Sequence, residues 1–401
     1  MVMVQAIATA GLAVLLSLHL ATAVSTLVHA RRAPRSSATA SAAGRPTSPT
    51  GTPFRADEPI AFVVPVVGLG EAETGAALSA LDVARRGDEV IFCAFDETDP
   101  AVGRIRAALA RRPEVDARLL LGRDHVSDNP KMDNVEKGFA AARADLVICV
   151  DGNLELPSDT LERLFEVAEP GVALVSSPPV GARPETFWAA VECAFLDTFF
   201  ARWQLAADVF GGGFAHGKLL MLRRSFLDAR GGIAALARET AEDAAVTRMV
   251  REAGLRVRLT RRPFAQPLGS RSFAEVWGRT LRWARLRRRA YPLVYLGEAT
   301  LSGMVPLAST PVAAPFVGLP PLVLLVAVAA LWWGTEAVLA RAMGWPWGRW
   351  GLPARIVRDA LAVALWLAGW FGSGYVWRGQ VVEIDRPTVK ARSDRDSSGS
   401  A

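Results

Sequence analysis

Cysteine is scarce in this sequence, with three residues in a chain of 401. Cys93, Cys149 and Cys193 lie in separate apolar runs, form no Cys-x-x-Cys pair and have no histidines nearby in the sequence. Disulfide-held secreted folds and zinc sites both need several such residues at short, regular spacing. The sequence therefore argues against a disulfide framework and against a zinc site. It predicts three buried, reduced thiols on the cytosolic side of a membrane.

Charged side chains are missing from residues 3–29. As a helix this stretch is about 40 Å long, which is enough to cross a bilayer. The cationic residues that follow it at once are Arg31, Arg32, Arg35 and Arg45. A cleaved signal peptide would begin with basic residues and have a shorter apolar core. We therefore predict a transmembrane anchor whose arginine-bearing end faces the cytoplasm.

Polar residues are also sparse after about residue 290, and the whole chain has 51% hydrophobic residues and a mean hydropathy of +0.22. Apolar stretches at 293–317 and 319–341, separated by Pro320 and Pro321, predict a membrane hairpin. A third stretch, 360–377, carries tryptophans that suit the headgroup zone, so it could span the bilayer, re-enter it or lie in its interface. The sequence thus predicts a multi-pass membrane protein.

The charged middle of the chain alternates predicted strands with predicted helices. The strands, rich in Val, Ile and Leu, are expected at 60–67, 89–95, 116–121, 145–150 and 171–177. The helices between them are expected near 72–86, 100–112, 131–143 and 158–168. This alternation predicts an α/β fold, a mostly parallel sheet with helices on both faces. Ligands of such sheets bind in the crevice at the carboxyl ends of the strands.

These patterns divide the chain into five predicted parts. They are an N-terminal transmembrane anchor (1–30), a flexible linker rich in Ser, Ala, Pro and Thr (31–57), a cytoplasmic catalytic domain (58–290), a C-terminal membrane region (291–380) and a disordered tail (381–401).

Two aspartates follow predicted strands directly. Asp96 follows the strand at 89–95, and Asp151 follows the strand at 145–150. Both should therefore lie at the edge where ligands bind. Carboxylates there suit a hard divalent ion that would neutralise a bound diphosphate, whereas either aspartate alone could be a helix cap.

Two further segments carry weaker signals. Gly212 to Lys218 matches the start of a P-loop, but Leu219 stands where a P-loop has Ser or Thr, so we expect only a turn or a mobile loop there. Glu242 and Asp243 begin an amphipathic helix, where acidic residues complement the helix dipole. Asp243 could instead be a general base that takes a proton from an attacking hydroxyl group.

Arginines cluster just before the predicted hairpin, in a protein whose net charge of +6 is carried almost entirely by arginine. Those on one helix face are Arg279, Arg282, Arg285 and Arg289. Some are expected to anchor the chain at an anionic membrane surface. The Arg282-Trp283 pair lies where the helix leaves the catalytic domain, and a planar guanidinium there could hold a diphosphate. Because no groove of interleaved basic and aromatic residues accompanies them, nucleic acid is not an expected partner.

In this order, these residues resemble the ceramide glucosyltransferase family (glycosyltransferase family 21) and, more distantly, the processive and lipid-linked sugar transferases. The family pattern has three acidic markers followed by (Q/R)xxRW, here Asp96, Asp151, Asp243 and Arg279 to Trp283. The resemblance extends over about residues 58 to 380. Further matches are Asn129-Pro130-Lys131 with Asn134, Ala241-Glu242-Asp243, and membrane segments at both ends.

The resemblance implies a GT-A fold, a UDP-sugar donor and an inverting transfer to the primary hydroxyl group of ceramide. By this analogy Asp243 is the catalytic base and Asp151 holds Mg²⁺ or Mn²⁺ at the diphosphate. The implied donor-binding residues are Asp96, Lys131, Asn134, Asp151 and Arg282. The implied acceptor-binding residues are Gly217, Glu242 and Trp283, and Arg279 completes the motif.

Two departures from the family pattern stand out. The second marker reads Asp151-Gly152-Asn153 where an Asp-x-Asp is common, so one carboxylate would have to hold the metal ion. Arg279 takes the position of a common glutamine.

The sequence leaves several alternatives open. A hopanoid or another lipid competes with ceramide as acceptor, and glucose, galactose, glucuronic acid and N-acetylglucosamine compete as the sugar. A processive polysaccharide synthase shares the motifs but usually needs more spanning helices for its channel. A membrane scaffold with a degenerate catalytic domain is the non-enzymatic alternative.

Overall fold

The structure is a computed structural model that describes residues 1–32, 53–122, 130–237, 239, 241–372, 374–377 and 380–383. Its helices are α1 (Val2–Arg31), α2 (Glu71–Leu78), α3 (Ala80–Val83), α4 (Val102–Ala110), α5 (Pro130–Ala141), α6 (Thr160–Phe165), α7 (Phe187–Ala194), a π-helix (Phe195–Ala201), α8 (Arg202–Val209), α9 (Arg224–Asp228), α10 (Gly232–Ala237), α11 (Glu242–Glu252), α12 (Phe273–Ala290), α13 (Pro292–Gly297), a 3₁₀-helix (Glu298–Leu301), α14 (Met304–Val317), α15 (Pro321–Met343) and α16 (Gly351–Gly369). Its strands are β1 (Ile60–Pro65), β2 (Glu89–Cys93), β3 (Ala117–Leu120), β4 (Leu146–Val150), β5 (Val172–Ser176), β6 (Pro179–Pro184), β7 (Leu219–Arg223), β8 (Arg256–Leu259), β9 (Phe264–Gly269), β10 (Gly374–Trp377) and β11 (Gln380–Glu383).

The centre of the molecule is a seven-stranded sheet of order β3-β2-β1-β4-β7-β5-β8. All neighbours pair in parallel except β7, which runs antiparallel to both β4 and β5. The five strands predicted from the sequence are β1 to β5, so the α/β prediction of a mostly parallel sheet is confirmed. The antiparallel β7 was not predicted.

The sheet is buried on both faces, which explains its nearly continuous apolar strands. In β1, Phe62 belongs to one buried cluster and Val63 to the other, as expected for side chains that alternate along a strand. α2, α3 and α4 contribute to the first cluster, whereas α5, α10 and α11 contribute to the second. The three cysteines are free and buried, as predicted.

Two helices in the described part of the chain are long and apolar enough to cross a membrane, namely α1 and α15. α14 joins the bent pair that could form a third span. The linker expected at 31–57 falls mostly outside the described residues. Of the tail expected at 381–401, residues 381–383 belong to β11 and the rest lies outside the described part.

The stretch at 293–317 is not one helix, contrary to the sequence-based prediction. α13 and the 3₁₀-helix are bent by 62° from α14. The Ser302 hydroxyl donates to the carbonyl of Asp359 at 2.8 Å and accepts from the backbone N–H of Met304 at 3.1 Å, which starts a new helix. A Cβ on Gly303 would come within 2.8 Å of the Asp359 side chain. The break therefore fits against α16.

The apolar stretch at 360–377, which by sequence could span the membrane, re-enter it or lie in its interface, is not a single helix in the structure. It begins within α16 and ends in β10, and α16 is not among the described helices that meet the criteria for a membrane span. α16 packs against α7 and α12, and its Arg355, Arg358 and Asp359 are buried. These charged side chains explain why the helix lies against the protein.

Candidate active site

The register of two strands builds the centre of the site. Val150, the last residue of β4, pairs with Leu219, the first of antiparallel β7, so Asp151 and Lys218 face each other just beyond. The Asp151 backbone N–H donates to the carbonyl of Lys218 at 2.9 Å. The Lys218 ammonium donates to Asp151 Oδ2 at 2.8 Å and to Asn153 Oδ1 at 2.9 Å. Strand pairing thus brings a lysine onto the aspartate predicted from the sequence.

A second lysine reaches the same carboxylate from α5. Lys131 Nζ lies 3.1 Å from Asp151 Oδ1. It also donates to Glu242 Oε1 at 2.9 Å and to the carbonyl of Gly217 at 2.6 Å. Lys131 therefore links β4, α11 and the loop before β7, and two ammonium groups hold the two oxygens of Asp151.

Charges at these distances shift the ionisation of the cluster. Burial alone would raise the pKa of Asp151, but Lys131 and Lys218 hold it well below its usual range. Burial opposes the ionisation of Lys131, yet Asp151 and Glu242 outweigh it and raise the pKa of that lysine. For Lys218 burial prevails, so its pKa is lowered in spite of Asp151, and Arg279 adds to the decrease.

Asp243 lies beside this cluster, in the first turn of α11. Its Oδ2 accepts from the backbone N–H of Gly217 at 3.3 Å, and its Oδ1 accepts from that of Ala244 at 2.8 Å. Burial, and next the charge of Glu242, raises the pKa of Asp243 to about 6. A carboxylate with such a pKa can accept a proton near neutral pH.

Gly217 fits the space between these groups. A Cβ on Gly217 would lie 2.8 Å from Glu242 Oε1 and 3.3 Å from Lys131 Nζ. Gly152 is equally confined, since its Cβ would lie 2.5 Å from Leu69 Cδ1. Close packing therefore explains the glycine of the Asp151-Gly152-Asn153 marker.

Aromatic residues form the wall of the site on the α12 side. The rings of Trp283 and His216 meet edge to face at 6.2 Å, and those of Trp283 and Phe200 at 5.8 Å. Burial, then the charge of Lys218, lowers the pKa of His216 to about 3, so this imidazole is neutral. Tyr291, which follows α12, has a pKa raised by burial and then by the charge of Asp243.

The arginines of α12 have partners within the protein. Arg279 donates to the buried carboxylate of Glu192 at 2.5 Å. Arg287 forms an ion pair with Glu298, and Arg288 donates to the carbonyl of Trp370 at 2.7 Å. Arg282 is half-buried one turn before Arg285. Internal contacts therefore account for several of the arginines that were expected at the membrane surface.

Two other predicted residues lie away from the lysines. Asp96 is exposed, and its carboxylate accepts from the Thr98 backbone N–H at 2.7 Å; hydrogen bonds to Thr98 lower its pKa. It follows β2, two strands from β4, which places it roughly 10 Å along the same sheet edge. Asn134 is fully buried and donates to the carbonyl of Val66 at 3.1 Å, so it supports the loop after β1.

The donor set at Asp151 does not fit a resident divalent ion in this structure. Both oxygens of Asp151 and the amide oxygen of Asn153 contact ammonium groups. No three His, Cys, Asp or Glu side chains converge as a metal site within the described residues. The place expected for Mg²⁺ or Mn²⁺ is therefore taken by lysine.

Sequence reasoning missed Lys218 and His216 as members of the site. Lys218 was considered only as part of an incomplete P-loop. The signal that could have identified it is the apolar run that starts at Leu219, because a strand there would place Lys218 at the sheet edge.

Comparisons with known proteins agree with the resemblance. Residues 13–389 match the sequence model described as Glycosyl transferase family 21. Ceramide glucosyltransferases 1 and 3 of Caenorhabditis elegans are 26% and 28% identical over 212 residues, which is 52% of this chain and 46% of each relative. The chain therefore matches about half the length of these relatives. A ceramide glucosyltransferase of Komagataella phaffii is 33% identical over 110 residues, 26% of this chain and 22% of that protein.

Among solved structures, a mannosyltransferase from Pyrobaculum calidifontis in complex with GDP-Man and Mn²⁺ is similar to this chain. The TM-score is 0.48 at 16% sequence identity, and the match covers 91% of this chain and 99% of that one.

Proposed function

The chain belongs to glycosyl transferase family 21, and on this premise we propose that it transfers a hexose from a UDP-sugar to the primary hydroxyl group of ceramide. The relatives named ceramide glucosyltransferase supply the substrate class. The observation that carries the proposal is the position of Asp243, a carboxylate with raised pKa beside a pair of lysines at the ligand-binding edge of the sheet.

The donor would bind along the carboxyl edge of the sheet. Asp96 lies at the nucleotide end, and the two lysines on Asp151 lie at the diphosphate end. Lys131 and Lys218 each bring a compact positive charge, and Arg282 adds a planar guanidinium suited to phosphoryl oxygens. These groups favour the departure of UDP, because negative charge grows on the leaving phosphate as the sugar is transferred.

Asp243 would act as the general base. Its carboxylate takes the proton of the acceptor hydroxyl group while the hydroxyl oxygen forms a bond to the anomeric carbon. The bond from that carbon to the phosphate oxygen breaks, and its electron pair leaves with UDP. A single displacement of this kind inverts the anomeric configuration. Glu242 is held by Lys131 at 2.9 Å, so it positions the lysine next to the base.

The lipid acceptor would enter from the side of α12 and α13. Gly217 contacts Asp243, Trp283 meets His216 of the same loop, and Tyr291 lies between α12 and α13. Leu293, Val294 and Leu296 of α13 are exposed, although they are large and apolar. Contact of α13 with lipid would bury these side chains and bring the acceptor headgroup to the base.

The proposed topology is that of a multi-pass membrane protein with its catalytic domain on the cytoplasmic side. The two candidate spans and the bent pair support membrane insertion. Arg31 and Arg32 at the end of α1 support the cytoplasmic orientation by the positive-inside rule. The mechanism involves no metal step, and nucleic acid is not a proposed partner.

The test is a product assay on membranes that contain the chain, with radiolabelled UDP-sugars, added ceramide and thin-layer chromatography. Labelled glycolipid that depends on ceramide supports the proposal and identifies the sugar. Label in a hopanoid or another lipid shows that this lipid, and not ceramide, is the acceptor. Labelled polymer retained at the origin indicates a polysaccharide synthase. The absence of labelled product with every donor supports the hypothesis of a non-enzymatic membrane scaffold.

A further inference from the structure

Lys218 contacts the two residues that a divalent ion would need. Its ammonium lies between Asp151 Oδ2 and Asn153 Oδ1, at 2.8 and 2.9 Å. An ammonium has three N–H donors, so these two contacts leave one N–H for an incoming oxygen. The side chain is mostly buried, with 12% of its surface exposed. It is therefore a fixed point charge at the edge of the crevice.

The charge of the Asp151-Gly152-Asn153 marker matches an ammonium. An Asp-x-Asp pair carries two negative charges and suits a divalent ion. Here Asn153 is neutral, so the pair carries one negative charge, which one ammonium balances. Lysine is also rare in this chain, since four of its 46 basic residues are lysines: Lys131, Lys137, Lys218 and Lys390. Two of the four meet at Asp151.

We propose that Lys218 takes the place of a divalent metal ion and donates its remaining N–H to the donor diphosphate, so that UDP-sugar binds without metal. Lys131, whose three N–H groups contact Asp151, Glu242 and Gly217, holds the Asp151 carboxylate in position. This inference rests on the proposed function, because it concerns the same donor site. A lysine ammonium is a compact, strongly charged donor, which suits it to a position between two oxygens better than an arginine fork.

The proposal predicts a change of cofactor in a variant. In Lys218→Met one of the two ammonium groups is gone, and Asp151 Oδ2 and Asn153 Oδ1 become available as oxygen ligands, while Lys131 stays on Asp151 Oδ1. Mn²⁺ should then bind where the wild-type chain binds none, and it should restore part of the lost donor affinity. A merely structural role of Lys218 would not produce this gain of a metal site.

The experiment uses the full chain in detergent after treatment with a chelator. Binding of radiolabelled UDP-glucose is measured by equilibrium dialysis with EDTA and with added Mn²⁺, and bound Mn²⁺ is measured by electron paramagnetic resonance. Variants are Lys218→Met and a matched control, Arg112→Met, which removes a surface cation paired with Asp82.

The wild type and the control should bind UDP-glucose equally in EDTA and in Mn²⁺, and should hold no stoichiometric Mn²⁺. Lys218→Met should bind UDP-glucose about tenfold to a hundredfold more weakly in EDTA and should recover affinity with one bound Mn²⁺. Wild-type binding that is lost in EDTA, together with one Mn²⁺ per chain, would overturn the inference but keep the proposed function. A wild-type chain that binds no UDP-sugar under either condition overturns both. If Lys218→Met fails to fold, the wild-type measurements alone decide.

Discussion

The backbone N–H of Gly217 donates to Oδ2 of Asp243 at 3.3 Å. This contact joins the loop before β7 to the first turn of α11, two segments that are 26 residues apart in sequence. The same glycine presents its carbonyl to Lys131 at 2.6 Å. The loop therefore sets the position of the proposed base relative to the lysines that would hold the donor.

Removing the carboxylate of Asp243 should stop transfer and leave donor binding intact. An Asp243→Asn variant keeps the shape of the side chain but cannot accept the proton. Turnover should fall on the order of 10²-fold to 10⁴-fold, as measured by initial rates with UDP-sugar and ceramide. Asp82→Asn, a surface change, is the control. Near-normal turnover in Asp243→Asn would remove the base from the mechanism.

The transfer rate should depend on the ionisation of Asp243. Because burial raises the pKa of this carboxyl group to about 6, it is protonated and inactive as a base at lower pH. The rate should therefore rise as pH increases through about 6 and level off above it. Asp151 does not contribute to this transition, since its pKa is held well below its usual range. A rate that stays constant between pH 5 and pH 7 (about one unit on each side of the midpoint) would contradict the assignment.

A methyl group on Gly217 should disturb the site without changing its chemistry. In Gly217→Ala the added carbon would press on Glu242 Oε1 at 2.8 Å, and the loop must shift. Turnover should fall about tenfold to a hundredfold, because small displacements of reacting groups are costly. Gly75→Ala in α2, where no atom lies within 4 Å of the new carbon, should leave turnover unchanged. Equal turnover in the two variants would mean that the loop does not position the base.

A buried ion pair between α15 and α16 should contribute strongly to the stability of the protein. Arg358 donates to both oxygens of Glu336 at 2.8 and 2.6 Å, and both side chains are fully buried. Glu336→Ala removes both carboxylate oxygens to which Arg358 donates and leaves Asp359, at 3.2 Å, as an acidic neighbour, so it should lower the free energy of unfolding by about 3–5 kcal/mol. Val338→Ala, on the exposed face of α15, should change it far less. Thermal unfolding in detergent compares the two, and equal stabilities would refute the role of the pair.

Much of the fold was predictable because it depends on local pattern. Apolar runs such as the one ending at Val150 identify buried strands, and their alternation with helices identifies a parallel sheet. The antiparallel β7 was missed because its five residues form a short apolar run directly after a glycine-rich segment, and periodicity alone does not assign so short a run to a strand. The break at Ser302 was missed because it depends on contacts with α16, which is distant in sequence.

The candidate site, like the fold, was predictable from the sequence only where it depends on local pattern. Asp151 was proposed from its position after a strand, which is a local feature, whereas the helix start at Asp243 was a weak signal and its role as base came from the family resemblance. Lys218 was not identified, because its contact with Asp151 is set by the pairing of β4 with β7. The metal expectation came from the carboxylates at the sheet edge and from the family resemblance; the contacts of two lysines with both oxygens of Asp151 are visible only in the structure.

The central claim is tested most directly by the lipid product that the purified chain makes from UDP-glucose and ceramide. Mass spectrometry and the proton NMR signal of the anomeric centre define that product. The account predicts ceramide carrying one hexose, with the β configuration expected from inversion of the α-linked donor. Recovery of unmodified ceramide with every UDP-sugar offered, or of an α-linked product, would contradict it.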